Sequence, residues 1–317
     1  MATEYRRSGR TATLVWVAIA ICGSLLLSGS APSGGTGGPA LSPVKAEAIG
    51  LLLHQGVRYS DEALLDVYTA PATPSQPAGS AIVVLLHGCC GDRSDLGKLA
   101  EAISATGLVV VNVDWEGMDA DARFPASYEG VACALGYTQA LAGDLGADPR
   151  RVILVGWSDG AMAAAAVAAA GRQFSLHGCH APPALAAPVA VVGIAGFYGW
   201  PVPVPNQYVL ARSERFFGGD PHRARQSWAA ATPYSWLASA PPTHLFVGTT
   251  DPLVDDARRY AAGLRAAGRS ACVIEIPPGG DQTLISPRST EGRRVVSEIA
   301  SIADNLPTSS EGQSCLR

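Results

Sequence analysis

Six unbroken apolar runs punctuate the chain, and most are followed by a segment of helix length. They are Ala81–Leu86 (AIVVLL), Leu108–Asp114 (LVVVNVD), Arg151–Val155 (RVILV), Val189–Ile194 (VAVVGI), His244–Gly248 (HLFVG) and Cys272–Ile276 (CVIEI). Strict alternation would mark strands with one wet face. Unbroken runs mark strands covered on both faces, as in parallel sheets. Helices are predicted between them over Asp92–Ala105, Ser127–Leu145, Ser158–Ala170, Val254–Ala267 and Arg288–Asn305. The alternation predicts an α/β fold, a doubly wound, mostly parallel sheet with helices on both faces. Phe197–Leu237 interrupts it and is rich in Pro, Trp and Tyr. It is predicted as part of a partly helical cap insertion, about 197–240, after the sixth strand region and over the carboxyl edge of the sheet. Ligands of such sheets bind outside the carboxyl ends of the strands. The informative positions are therefore His87-Gly88-Cys89, Asp114-Trp115, Ser158, Phe197-Tyr198, Asp251 and the 277–283 turn.

The chain start follows a different rule. Arg6, Arg7 and Arg10 precede an apolar stretch from Thr11 to Leu27, and the small residues Ser28-Gly29-Ser30-Ala31 come next. This is the pattern of a signal peptide or signal anchor over 1–30. It predicts an exported, extracytoplasmic protein, secreted or anchored, that meets a membrane only through this segment if it stays uncleaved. A Gly/Ser/Pro linker (31–43), one domain (44–306) and a polar tail (307–317) complete the expected organisation.

Composition narrows the function classes. With 48% hydrophobic and 16% charged residues, the chain can bury a large core, which excludes a disordered protein. A net charge of −4 without a basic cluster argues against nucleic acid as a partner. Beyond Cys22, which lies in the apolar leader, the cysteines are Cys89, Cys90, Cys133, Cys179, Cys272 and Cys315. An even set in an exported chain points to disulfides, and sequence leaves the pairing open. A bond from Cys89 or Cys90 to Cys133 is the expected one, pinning the loop after the first buried strand to the next helix. No cysteine spacing suits a structural zinc, and no phosphate-binding glycine loop opens a helix, so no metal, nucleotide or other cofactor is expected.

Gly156-Trp157-Ser158-Asp159-Gly160 fits G-x-S-x-G, directly after a β-branched run and at the start of an Ala-rich helix. A serine held on a sharp strand-to-helix turn crowds the residues two before and two after it, so both must be small. The turn lifts Oγ above the sheet, at the positive end of the helix dipole. On these residues the chain resembles the α/β-hydrolase family, in particular its esterase-like and dienelactone-hydrolase-like members. The resemblance spans nearly all of the mature chain. It rests further on His87-Gly88, on the Gly248-Thr249-Thr250-Asp251 strand end and on Pro277-Pro278-Gly279-Gly280-Asp281.

The resemblance implies a Ser158 nucleophile, an oxyanion hole made by the backbone N–H groups of Cys89 and Asp159, and Asp251 as the acid. Asp255 and Asp256 are the alternatives for that acid, although they also suit the first turn of the following helix. The family's His87 equivalent is usually structural. Trp115, Trp157 and Tyr198, together with Phe197 and Trp200, are candidates to line an apolar pocket or to fill the layer under the cap. A thiol nucleophile at Cys89 or Cys90 is disfavoured, because these residues sit off the elbow.

One element is missing. The family's histidine falls on Gln282, and no histidine follows His244. A neutral amide cannot take the serine proton. Among substitutes, His244 starts its strand at the wrong end of the sheet, His177 and His180 lie beyond the far end of the nucleophile helix, and His54 precedes the core strands. His222, in the cap next to Arg223, could reach down. Two expectations follow: a serine hydrolase of carboxylic esters, with a small-molecule ester as its partner and impaired or displaced base chemistry, or a hydrolase-shaped protein that binds a ligand or partner without turnover.

Overall fold

In the computed structural model, the described residues are 44–46, 51–70, 79–118, 121–176, 178–180, 186–199 and 207–306. The expected leader, linker and tail, and Trp200 and His177, lie outside them. A mixed sheet organises everything else. Its strands are β1 (Val44–Ala46), β2 (Leu51–Arg58), β3 (Leu64–Thr69), β4 (Ser80–Leu86), β5 (Val109–Val113), β6 (Ala147–Trp157), β7 (Ala190–Ile194), β8 (Thr243–Gly248) and β9 (Ala271–Ile276). Their order is β1-β2-β3-β5-β4-β6-β7-β8-β9. From β5 onward every neighbour is parallel, whereas β1, β2 and β3 add an antiparallel edge. That edge escapes the apolar-run pattern because β2 (LLLHQGVR) mixes buried and exposed positions.

Side chains alternate across a strand, and β4 shows where they go. Ile82, Val84 and Leu86 enter one core with Val131 and Leu135 of α2 (Ala126–Leu141), the alanines of α3 (Asp159–Ala170) and Tyr260 and Leu264 of α6 (Val254–Ala266). Ala81, Val83 and Leu85 enter the other core with Leu99 and Ile103 of α1 (Gly97–Ser104) and Val295 and Ile299 of α8 (Thr290–Asp304). Every residue of α3 is buried, which a helix apolar on all sides requires. Its alanines let it pass close beneath the cap residues and beside β6 and β7. Between β7 and β8 come α4 (Gln207–Phe217), α5 (Arg225–Ala231) and a 3₁₀ segment, Pro233–Ser239. The short α7 (Asp281–Ile285) follows β9.

The expected Cys89/Cys90-to-Cys133 bond is corrected. Cys133, on α2, bonds Cys179, with Cα atoms 5.5 Å apart. The reason is placement. Residue 179 returns to the sheet through its bridge with Ser60, and Cys133 Sγ lies 3.7 Å from the neighbouring Tyr59 carbonyl. Cys89 and Cys90 sit instead at the carboxyl end of β4 and are free thiols. Cys272 is also disulfide-bonded.

Candidate active site

Ser158 stands between the last residue of β6 and the first of α3, with φ 56° and ψ −122°. A left-handed φ is costly for a residue with a side chain, and its surroundings leave no alternative. A Cβ on Gly156 would collide with the Gly160 backbone, and one on Gly160 with the Leu86 and His87 carbonyls. The Ser158 N–H donates to the Ile194 carbonyl at 3.0 Å, tying the turn to the end of β7. The Gly88 loop runs alongside, where a Cβ on Gly88 would lie 3.2 Å from Ser158 Cβ. The Cys89 peptide and the first peptide of α3, Asp159, are thus brought to the Ser158 turn from two elements.

The acid candidate follows β8. Asp251 is buried, and its Oδ1 accepts the Leu253 N–H at 2.8 Å. Burial pushes its carboxyl above the ordinary range. The Leu253 amide opposes that shift, and the like charge of Asp281 adds to it. The two alternatives are engaged elsewhere. Asp256 accepts the Tyr198 N–H at 2.6 Å and the Gly199 N–H at 3.3 Å. Asp255 pairs with Arg258 at 3.0 Å.

Gln282 is exposed in the first turn of α7 and its N–H donates to Asp281 Oδ1 at 2.7 Å. The 277–281 turn interlocks with the acid loop: Thr250 Oγ1 donates to the Pro278 carbonyl at 3.0 Å, and a Cβ on Gly279 would lie 3.1 Å from Gly248 Cα. The α7 helix packs on both β7 and β8, and β7 ends in Ile194, whose carbonyl accepts the Ser158 N–H.

His87, His180, His222 and His244 have defined surroundings. His87 is buried, with Nδ1 2.7 Å from the Gly88 carbonyl and Nε2 3.8 Å from Asp114 Oδ1. His180 meets Asp61 at 3.1 Å. His222 lies in a turn whose backbone N–H groups donate to Asp220. His244 pairs with Val192 and Cys272 near the start of β8, away from Asp251.

The aromatic candidates have little surface to offer a substrate. Trp115 is 3% exposed, donates Nε1–H to the His87 carbonyl at 3.0 Å and packs near Tyr128. Tyr198 is 1% exposed and stacks on Tyr260 at 4.7 Å. Trp157, at 8%, touches the Gly88 loop instead. A cleft of about 340 Å³ exists, but Leu135, Val167, Gly171 and Arg172 line it. That is the far end of α3, about 18 Å from Ser158 at 1.5 Å per residue.

Sequence reasoning missed one cluster. The Asp159 side chain is buried, with Oδ2 accepting the Met118 N–H at 3.2 Å and lying 3.9 Å from Arg212 Nη2 on α4. Its Oδ1 is buried without a hydrogen-bond partner. Burial raises this carboxyl as well, and the Arg212 charge opposes the shift. The Arg212–Asp159 contact joins residues distant in sequence, and no local spacing signals it.

The α/β-hydrolase-fold family model matches residues 86–280, more than half of the chain. A search of curated protein sequences returns no match. Among solved structures, a fungal esterase from Rhizomucor miehei is 19% identical, with 81% of this chain and 84% of that chain covered and a TM-score of 0.64. A Thermogutta terrifontis esterase solved with propionate bound is 16% identical over 84% and 98% of the two chains, with a TM-score of 0.61. A bacterial heroin esterase is 19% identical over 82% and 86%, also at 0.61.

Proposed function

Since the chain belongs to the α/β-hydrolase fold family, we propose that it acts on carboxylic esters by acyl transfer through Ser158, at a rate limited by the amide at position 282. The observation that carries this reading is the Ser158 turn, a non-glycine residue held at positive φ between two glycines that could not carry a side chain. Oγ attacks the ester carbonyl. The negative charge that develops on the carbonyl oxygen falls to the Cys89 and Asp159 amides, where preorganised donors contribute several kcal/mol. Asp251 stands ready to orient an imidazole. Gln282 supplies none, so proton removal from Ser158 is left to solvent and turnover is slow. Short acyl esters are the substrates to test, because the Thermogutta terrifontis esterase of similar fold has been solved with propionate.

We also place the protein outside the cytoplasm, on the basic and apolar pattern of 1–30. The Cys133–Cys179 bond suits an oxidising compartment. Among the described residues no helix is long and apolar enough to cross a membrane. The exposed amide at position 282 favours the second reading, a binder without turnover.

A fluorophosphonate probe separates the two. Slow labelling that disappears in Ser158→Ala supports the hydrolase. Complete absence of labelling together with no ester hydrolysis supports the binder. Labelling as fast as that of an intact triad would overturn the assignment of Gln282 as the rate limit and place a base elsewhere.

A further inference from the structure

The loop beside the nucleophile carries a pair of thiols that the hydrolase reading does not use. Cys89 Sγ and Cys90 Sγ lie 3.3 Å apart on adjacent residues. Both are free, while Cys133, Cys179 and Cys272 are bonded. The two sulfurs differ in access. Cys90 is exposed, and Arg212 Nη1 donates to its Sγ at 2.7 Å. Cys89 is half-buried, and burial, with the nearby Asp159 charge second, pushes its thiol up to about 12. Behind the pair, Asp159 Oδ1 and Arg212 Nε are buried polar atoms without hydrogen-bond partners. A guanidinium against one sulfur and a solvent-facing approach are the surroundings of a reactive cysteine.

We propose that Cys89 and Cys90 form a redox-active vicinal dithiol, a modification site at which small-molecule disulfides convert the pair into a Cys89–Cys90 disulfide ring. Cys90 gives its proton to water, and its thiolate attacks one sulfur of the reagent R–S–S–R, forming a mixed disulfide and expelling RS⁻ with the bonding electron pair. That RS⁻ takes up a proton. Cys89 gives its proton to water, and its thiolate attacks Cys90 Sγ. The mixed disulfide breaks and the second RS⁻ leaves. Two thiols lose two electrons and two protons, and one reagent disulfide becomes two thiols. The sulfurs must close by about 1.2 Å to reach an S–S bond of about 2.05 Å. Cys90 φ, now 62°, lies within the ring and turns with it. The Arg212 contact with Cys90 is given up. Ring formation does not depend on Ser158 chemistry, so the inference stands apart from the hydrolase reading.

The test treats the full-length protein with oxidised glutathione or dithiobis(nitrobenzoate), followed by peptide mass mapping. The expected result is a peptide containing Cys89 and Cys90 that is lighter by two hydrogens, carries no adduct and regains both hydrogens under dithiothreitol. Cys89→Ser should instead retain one reagent thiol on Cys90. A stable adduct on Cys90 in the unaltered protein overturns the proposal, because Cys89 then fails to resolve it. So does a pair that stays unmodified when folded but reacts once denatured.

Discussion

Replacing Gln282 with histidine tests the proposal that Ser158 is limited by the amide at position 282. Asp251 Oδ1 is occupied by the Leu253 N–H, and no described residue supplies a hydrogen bond to Oδ2, which can accept from an imidazole Nδ1–H. Position 282 opens α7, which packs on β7 and β8, and β7 holds the Ser158 N–H. The ceiling on the gain is the loss seen when a serine protease is deprived of its base, about 10⁶ in kcat or roughly 8 kcal/mol. A positioned general base contributes about 10²–10⁴. The side chain at 282 is exposed, so fixing an imidazole there costs about 1 kcal/mol of rotamer freedom. The net expectation is a rise of about 10³ in kcat/KM, or ~4 kcal/mol of barrier. Initial rates on p-nitrophenyl acetate, propionate and butyrate measure it. The rate should climb with pH around ~6.5, as a neutral imidazole becomes available. A gain below about tenfold in a variant with unchanged Tm refutes the reasoning. A gain that survives addition of Ser158→Ala also refutes it, since the new imidazole would then act without the elbow serine.

Two further outcomes follow from the same structure. The Cys133–Cys179 bond closes a separation of 46 residues. By chain entropy it should contribute about 4 kcal/mol, so Cys133→Ala/Cys179→Ala should lower Tm by roughly 8–16 °C, and an unchanged denaturation midpoint contradicts this. Asp251→Asn should abolish the gain in Gln282→His yet stabilise the fold increasingly as pH rises. Burial first, and Asp281 after it, raise the folded-state pKa of Asp251, so native protein holds a proton that unfolded chain has lost and wild-type stability falls between the ordinary carboxylate range and the raised value. Paired melts across that window check the sign, and a pH-independent difference between the two proteins excludes it.

The parallel half of the sheet was legible because strands covered on both faces must be apolar throughout, as Ala81–Leu86 and Arg151–Val155 are. The elbow was legible because its glycines answer to local sterics: Gly156 and Gly160 are needed by the same turn, four residues apart. The acid loop and the 277–281 turn could be read as strand ends, and they do meet, through Thr250 and Pro278. What stayed hidden depends on distance in sequence. The antiparallel edge of β1, β2 and β3 lacks a continuous apolar run because its β2 is half solvated. The Cys133–Cys179 pairing follows from where residue 179 returns to the sheet beside Ser60, which no spacing rule encodes. The burial of Trp115 and Tyr198 depends on what α2 and α6 bring against them, Tyr128 and Tyr260. Position after a strand places an aromatic near the sheet edge without deciding whether it faces a ligand or the core.

Strain in the molecule is not spread at random. Among the described residues, the non-glycine positions at positive φ are Cys90, Ser158 and Ala195. They follow the carboxyl ends of β4, β6 and β7, which are consecutive neighbours in the sheet. Each such backbone costs on the order of 1–3 kcal/mol. Next to Ser158, Asp159 is buried with an unpartnered oxygen, and after β8 the Asp251 carboxyl is raised by burial. A scaffold needing only the sheet would gain stability by relaxing the backbone at Cys90 and Ser158, since neither side chain belongs to the two apolar cores. They become useful together when an acyl oxygen develops charge between two amides and an imidazole joins acid to serine. In the proposed mechanism the first of those conditions falls to the Gly88–Cys89 and Ser158–Asp159 backbones. In the proposed mechanism the second is withheld by the side chain at position 282, on an exposed helix turn.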